Sequence, residues 1–518
     1  MNFDVCVYGG TPAGVVGAVS AARLGYSVIL VEPNKYIGGM MASGLNATDA
    51  INEITNTAIA REFFVRARRV YNGNTLPVRI ESKVASRIFS EMLADSNVRV
   101  LKDCRILDTV RDGLNITQAV LSTNDTITAR WWFDGTYEGD LLAAGKVRFR
   151  LGREARSAFG ERLAGRLATK SMLPWTNKLQ FSPRIDGKLR PYVEAYDEAA
   201  VLGSADDRVQ SYCIRPTLTN SVDPVMKRPI TLPEGFDLSN FDLFREIARH
   251  MGNASIRSTW YRNMGLTLKS GYFNLAEIPN GKWDMNSGPL APINNPALTK
   301  GWVTASHEER LKKAQAFRDY TQALLWFIQN DSAVPLVIRK FFSDFALPAD
   351  EYPDTGHMPP MVYVREGRRL LGEDTFTQHH VENGGVGPED GVCRGRYFLD
   401  CKPVVWRENQ KGNNIVREGM FFSPQEPLTY TIPSWVMLPQ RDDTVNLMSL
   451  CAVSASHVAF GSFRMEPIWM ELGNIAAVVA RLADDRSCLP QDIDPASIRT
   501  ARDAIPTMHR EYDIRKPS

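Results

Sequence analysis

An α/β fold, in which a long insertion interrupts a parallel sheet, follows from three features of the sequence. Residues 4–33 run strand, glycine turn, helix, strand. A second strand–loop–helix unit opens only near Asn446. Between them, residues 156–424 lack any such pattern and are rich in Pro, Trp, Tyr and Asn. At 518 residues the chain is too long for one compact core, so more than one domain is expected.

Asp4–Tyr8 mixes small and β-branched apolar residues, as a buried parallel strand does. Gly9-Gly10-Thr11-Pro12-Ala13-Gly14 follows directly. Val15–Leu24 is helix-permissive, and Gly25 stands where a helix C-terminal glycine is wanted. Val28–Val31 is the next strand, ended by Glu32. This is the order of a dinucleotide-binding βαβ unit. Gly9 permits the tight turn and Gly14 the close helix–strand approach. A pyrophosphate would sit on backbone N–H groups at the helix N-terminus. Glu32 falls eighteen residues past Gly14, near the spacing for a carboxylate on ribose hydroxyls. An acid there repels a 2′-phosphate, which disfavours NADP. The turn departs from G-x-G-x-x-G in one place, where Thr11 takes the middle glycine's position.

Ser82–Asp95 has the spacing of an amphipathic helix, and Val98–Leu101 that of a strand. Runs near Arg105–Arg111, Gln118–Ser122 and Thr126–Phe133, separated by Asp112-Gly113 and Asn124-Asp125, form a β-meander. Trp131–Phe133 leads through Asp134-Gly135 into a short helix ending near Ala144. Glu308–Gln329 is a long helix, and residues 204–219 are expected to return briefly to the dinucleotide domain. Near the end, Asn446–Cys451 is a buried-type strand. Pro467, with Glu466 beside it, starts a helix through Ala483.

After Glu32 the chain enters "PNKYIGGMMASGLNATD" rather than a second helix. With "YGGTPAGVVGAVSAARLG", "FDGTYEGDLLAAG", "GREARSAFGE", "PNGKWDMN", "YVREGRRLLGED" and "SASHVAFGSFRMEP", this loop resembles blocks of the bacterial FAD-dependent oxidoreductases, some of them tagged "xanthan lyase", within the glutathione-reductase structural class. The resemblance covers most of the chain. It implies a discontinuous Rossmann-like FAD-binding domain (1–155 and 425–518) with a β-meander and an inserted α+β substrate or cap domain (156–424). It implies non-covalent FAD held by Gly9, Gly10, Thr11, Pro12, Ala13, Gly14, Glu32, Pro33, Gly38, Gly39, Met40 and Met41, with Asp134, Gly135 and Met465 near the flavin. It also implies hydride transfer between flavin N5 and a small hydroxylated or α-heteroatom substrate. A flavin monooxygenase and a non-catalytic dinucleotide-binding protein are the alternatives.

His457 lies in the loop expected to face the flavin ring, where an imidazole could accept a substrate proton or contact the cofactor. Arg365, Arg368 and Arg369 have i, i+3, i+4 spacing. On a helix they would share one face, able to clamp a carboxylate or polyol. Arg464, just ahead of the final helix, is a third catalytic candidate. Tyr137, Tyr363 and Trp435 are candidates to line the cavity.

The remaining expectations are exclusions. With 61 basic and 59 acidic residues, the formal charge of +2 offers nothing to nucleic acid or an anionic membrane. Seven scattered cysteines form no C-x-x-C pair, and the adjacent His379-His380 rings diverge, so no metal site is expected. There is no apolar run of spanning length, and the first strand leaves no room for a signal segment, so a cytoplasmic location is expected. The electron acceptor and oligomeric state are unassigned.

Overall fold

The computed structural model describes residues 1–49, 58–73, 76–173, 179–251, 256–260, 265–423 and 429–505. His509 and the expected domain boundary at 424/425 lie outside them. The first strand, β1 (Asn2–Tyr8), leads through the glycine turn into helix α1 (Pro12–Arg23) and strand β2 (Val28–Val31). Helix α2 (Ser82–Asp95) precedes β3 (Arg99–Leu101). The meander follows as β4 (Ile106–Asp112), β5 (Asn115–Leu121) and β6 (Thr126–Asp134). The late strand is β7 (Leu447–Ser449), followed by α3 (His457–Phe463) and α4 (Glu466–Arg486).

These strands form one sheet in the order β3-β2-β1-β6-β5-β4, with β7 also paired to β6. β1, β2, β3 and Thr128–Asp134 of β6 are parallel, and β7 joins in the same sense at Leu447–Ser449. The meander is joined to the sheet at a fork, where the first residues of β6 pair antiparallel with β5 while Trp132–Asp134 pair with β7. Its Ile106, Ile116, Ala119 and Leu121 share one core with Cys6, Tyr8, Ile29 and Val31 of the parallel strands. Asn446 closes the fork. Its amide accepts from Ile116 N–H at 2.9 Å and donates to the carbonyls of Ile116 and Arg130, both at 2.8 Å.

Alternation along β1 sends Val5 and Val7 into the core beneath α1, and Cys6 and Tyr8 into the core on the opposite side with Trp132, Leu141 and Leu142. The apolar run Val28–Val31 is buried throughout, as a strand covered on both sides requires. α1 packs closely on α4, since a Cβ at Gly473 would overlap the Ala13 carbonyl.

The residues between β6 and β7 carry their own structure. A five-stranded antiparallel sheet orders Thr217–Thr219, Lys282–Ser287, Phe273–Ile278, Leu266–Lys269 and Arg257–Trp260. Helix His307–Asn330 begins with a Ser306/Glu309 capping box. The expected return of 204–219 to the dinucleotide domain is corrected at its end. Thr217–Thr219 pairs with Lys282–Asp284 and belongs to the antiparallel sheet.

Candidate functional site

The glycine turn forms a tight cradle. Gly9 has φ +100°, and a Cβ at Gly14 would overlap the Gly9 carbonyl oxygen. Thr11 explains the departure from the glycine fingerprint. It is the N-cap of α1, its Oγ1 accepting from Gly14 N–H at 3.2 Å and donating to the Gly135 carbonyl at 2.6 Å. Pro12 and Ala13 form the first turn. Glu32 is buried and accepts from Gly10 N–H at 2.5 Å, Asn34 N–H at 2.7 Å and Asn34 Nδ2 at 2.8 Å. Burial nevertheless pushes its carboxyl up to about 7.

The second glycine loop turns back on the first. Gly38 N–H donates to the Gly10 carbonyl at 2.7 Å, and Gly38 and Gly39 both have positive φ. A Cβ at Gly39 would collide with the Tyr137 hydroxyl. Met40 and Met41 are buried, and Met40 N–H donates to that same hydroxyl at 3.0 Å.

Asp134 lies behind the cradle rather than in it. One of its oxygens accepts from Thr136 N–H (2.9 Å) and Oγ1 (2.6 Å), and the other from Leu142 N–H at 2.9 Å. It is wholly buried, and burial raises its carboxyl to about 6. Gly135 packs on the cradle backbone, where a Cβ would stand 2.8 Å from the Gly9 carbonyl oxygen.

Two cavities adjoin these elements. The first, about 450 Å³, is lined by Gly9, Thr11, Glu32, Pro33 and Thr136–Glu138, with Arg105 and Arg310 opposite. The second, about 480 Å³, is lined by Met465, Glu466 and Pro467 at the start of α4, with Arg365, Arg464, Lys402 and Asp400. The two are joined by one hydrogen bond, as Tyr137 of the first donates to Glu466 Oε1 of the second at 2.5 Å. Glu466 Oε2 is buried without a partner, and burial raises this carboxyl to about 8.

The arginine cluster dissolves in the structure. Residues 361–370 run extended, with Arg369-Leu370 paired to Phe149-Arg150, so the shared helical face does not exist. Gly367 explains why, because a Cβ there would overlap the Tyr137 carbonyl where the two segments cross. Arg365 enters the second cavity. Arg368 bonds Asp140 at 2.9 Å and lines the first. Arg369 is buried against Glu154 at 2.9 Å.

His457 is not mid-loop but opens α3, fully buried, and lines neither cavity. Its Nδ1 faces Glu366 at 2.9 Å and its Nε2 faces Cys401 Sγ at 3.5 Å. Burial opposes the imidazolium, but Glu366, with Cys401, outweighs it and pushes the ring up to about 10. Glu366 thus favours the protonated ring, and the expected place of His457 on the open side of the cavity is not where the structure puts it. Arg464 does line the second cavity, donating to Asp400 Oδ2 at 3.0 Å. Tyr363 lines it as expected, whereas Trp435 lines neither cavity. Lys402 and Asp400 were missed, since "LDCKP" has no recognisable spacing.

The chain matches the FAD dependent oxidoreductase family over residues 4–502. It belongs to that family. No curated protein matches it in sequence. Among solved structures it is similar to the flavin-dependent brominase Bmp2 (10% identity, 97% of this chain and 83% of that one, TM-score 0.38). Thermovibrio ammonificans THI4 (21% identity, 30% and 66%, TM-score 0.24) and T. acidophilum thioredoxin reductase (17% identity, 31% and 41%, TM-score 0.20) also match. The matched region spans less than two thirds of these last two chains. The cradle fits FAD: a helix N-terminus entered through Gly9 and Gly10 and packed tight at Gly14, a buried carboxyl group beside it, and a second glycine loop. Among the described residues, no helix is long and apolar enough to cross a membrane.

Proposed function

We propose that this FAD-dependent oxidoreductase exchanges hydride with a small polar substrate, hydroxylated or carrying a heteroatom beside the reacting carbon. FAD, when bound, supplies the two-electron chemistry at N5. The observation that carries this reading is the second cavity. It opens on the first turn of α4, and the Tyr137–Glu466 bond ties it to the dinucleotide cradle. Glu32 and the N-terminus of α1 hold the adenosine ribose and pyrophosphate. Tyr137 spans the turn after β6, the Met40 N–H and Glu466, which holds the two glycine loops in register with α4. Arg464, fixed by Asp400, presents its guanidinium to the substrate side. His457 acts as a positioning residue. It anchors Glu366, and so fixes the extended segment that carries Arg365 into the cavity.

The test is anaerobic mixing of the flavin-loaded protein with panels of hydroxy acids, amino acids and sugars. Loss of the oxidised flavin absorption with one class supports the reading. Oxygen-dependent hydroxylation without anaerobic bleaching replaces it with a monooxygenase.

A further inference from the structure

The second cavity is lined by six basic side chains against three acids, Asp49, Asp400 and Glu466, and Asp49 faces Arg215 and Arg464. Arg215 is matched by Asp284 at 2.6 Å. Arg464 and Lys402 share one carboxylate, Asp400, each at 3.0 Å. Arg365 has none. Its guanidinium donates to the Ser211 carbonyl and, at 3.5 Å, to Cys213 Sγ, and its Nε has no partner. Among the described residues no carboxylate lies within 4.0 Å of it, although Arg365 is only 3% exposed. Glu466, the acid at the α4 end of the cavity, is held protonated by burial near neutral pH and adds no compensating charge.

A buried guanidinium without a counter-ion is costly, because desolvation is not repaid by attraction. The cost disappears when an anion enters. Tyr363 decides which anion. Its ring lies against the face of Arg365, 4.6 Å from centroid to guanidinium carbon. That confines a ligand to the plane of the guanidinium, where Ser211 and Cys213 take one N–H each and the Nε–H has no partner, and in-plane N–H groups pair with the oxygens of a planar carboxylate. A smaller cavity of about 300 Å³ adjoins this one, sharing Asn274, Asn286 and Lys402.

We propose that the substrate of this cavity is a carboxylate, and that Arg365, assisted by Arg464, is the group that binds it. The proposal rests on the redox reading of the site but is tested without turnover. The flavin-loaded protein is titrated with benzoate and succinate, with benzamide and succinamide as neutral counterparts, and with inorganic phosphate. Binding is read from the flavin absorption bands and from the melting temperature. At least one carboxylate is expected to bind about tenfold or more tightly than its amide. Arg365→Met is expected to abolish that preference. Equal binding of acid and amide overturns the proposal, as does phosphate binding without carboxylate binding, or an unchanged preference in Arg365→Met. If Arg365→Met does not fold, the acid–amide comparison on the wild-type protein decides alone. A protein that carries no flavin defeats the redox reading instead. The melting-temperature comparison can still be made on it, so the two failures are told apart.

Discussion

Tyr137 and Glu466 meet at 2.5 Å, although 329 residues separate them in the chain. Their hydrogen bond links the turn after β6 to the first turn of the last long helix, and so links the cofactor cradle to the second cavity. Tyr137 also accepts from the Met40 N–H, leaving Glu466 Oε2 as the unsatisfied end of the chain of bonds.

That arrangement makes stability depend on pH. Glu466 titrates near 8 when folded, against 4.5 when unfolded. Between those values the folded state binds more protons, so this group's contribution to stability falls as pH rises from about 4.5 through 8. Glu32, at about 7, and Asp134, at about 6, act in the same direction. Glu466→Gln is expected to remove its share, giving a shallower loss of melting temperature between pH 5 and pH 8 than wild type. Parallel curves for the two proteins would count against a protonated Glu466.

Glu32→Ala is expected to cost FAD retention. The carboxylate already orders Gly10 and Asn34, and charge-assisted bonds to ribose are worth about 1.5–3 kcal/mol each. Flavin content after prolonged dialysis is the measurement, with wild-type content the adverse result. The same preparations, denatured and filtered, are expected to release all flavin. Among the described residues no cysteine or histidine lies in either glycine loop, or along the second cavity, to bond it covalently.

Thr11→Val keeps the shape of the N-cap but removes its oxygen. It leaves the Gly14 N–H and the Gly135 carbonyl without their partner in the core. A loss of about 1–2 kcal/mol is expected, measured by urea unfolding. Thr11→Ser is expected to restore most of it.

Local patterns carried the dinucleotide half of the fold. The strand, turn and helix signals of residues 4–33 are short-range, and the structure follows them. The fork at β6 was not legible, because it depends on Asn446 reaching strands more than three hundred residues earlier. The shared face that Arg365, Arg368 and Arg369 would have had on a helix did not form, for a similar reason. Spacing suggested a helical face, but the crossing at Gly367 holds the segment extended. His457 stood out as a residue, yet its meaning lies in Glu366, ninety-one residues away and unmarked in the sequence. What decides the candidate site is remote pairing of charged side chains, which no local pattern encodes.

His457 supplies the last prediction. Its ring titrates near 10 in the folded chain against 6.5 unfolded. A histidine raised in this way contributes its full stabilisation below about 6.5 and loses it as pH rises through about 10. His457→Ala removes one of two cationic partners of the buried Glu366 carboxylate and leaves Arg369 at 3.3 Å, so a cost below the about 3–5 kcal/mol of a fully unpaired charge is expected near pH 6. The penalty should shrink toward pH 10, where the wild-type ring is itself losing its charge. The difference in unfolding free energy between wild type and variant, measured from pH 6 to pH 10, isolates this pair from other groups titrating in the range. A difference that stays constant would remove the ion pair, and with it the positioning of Arg365. A constant difference accompanied by at least about a hundredfold slower flavin reduction would return His457 to the role of proton acceptor.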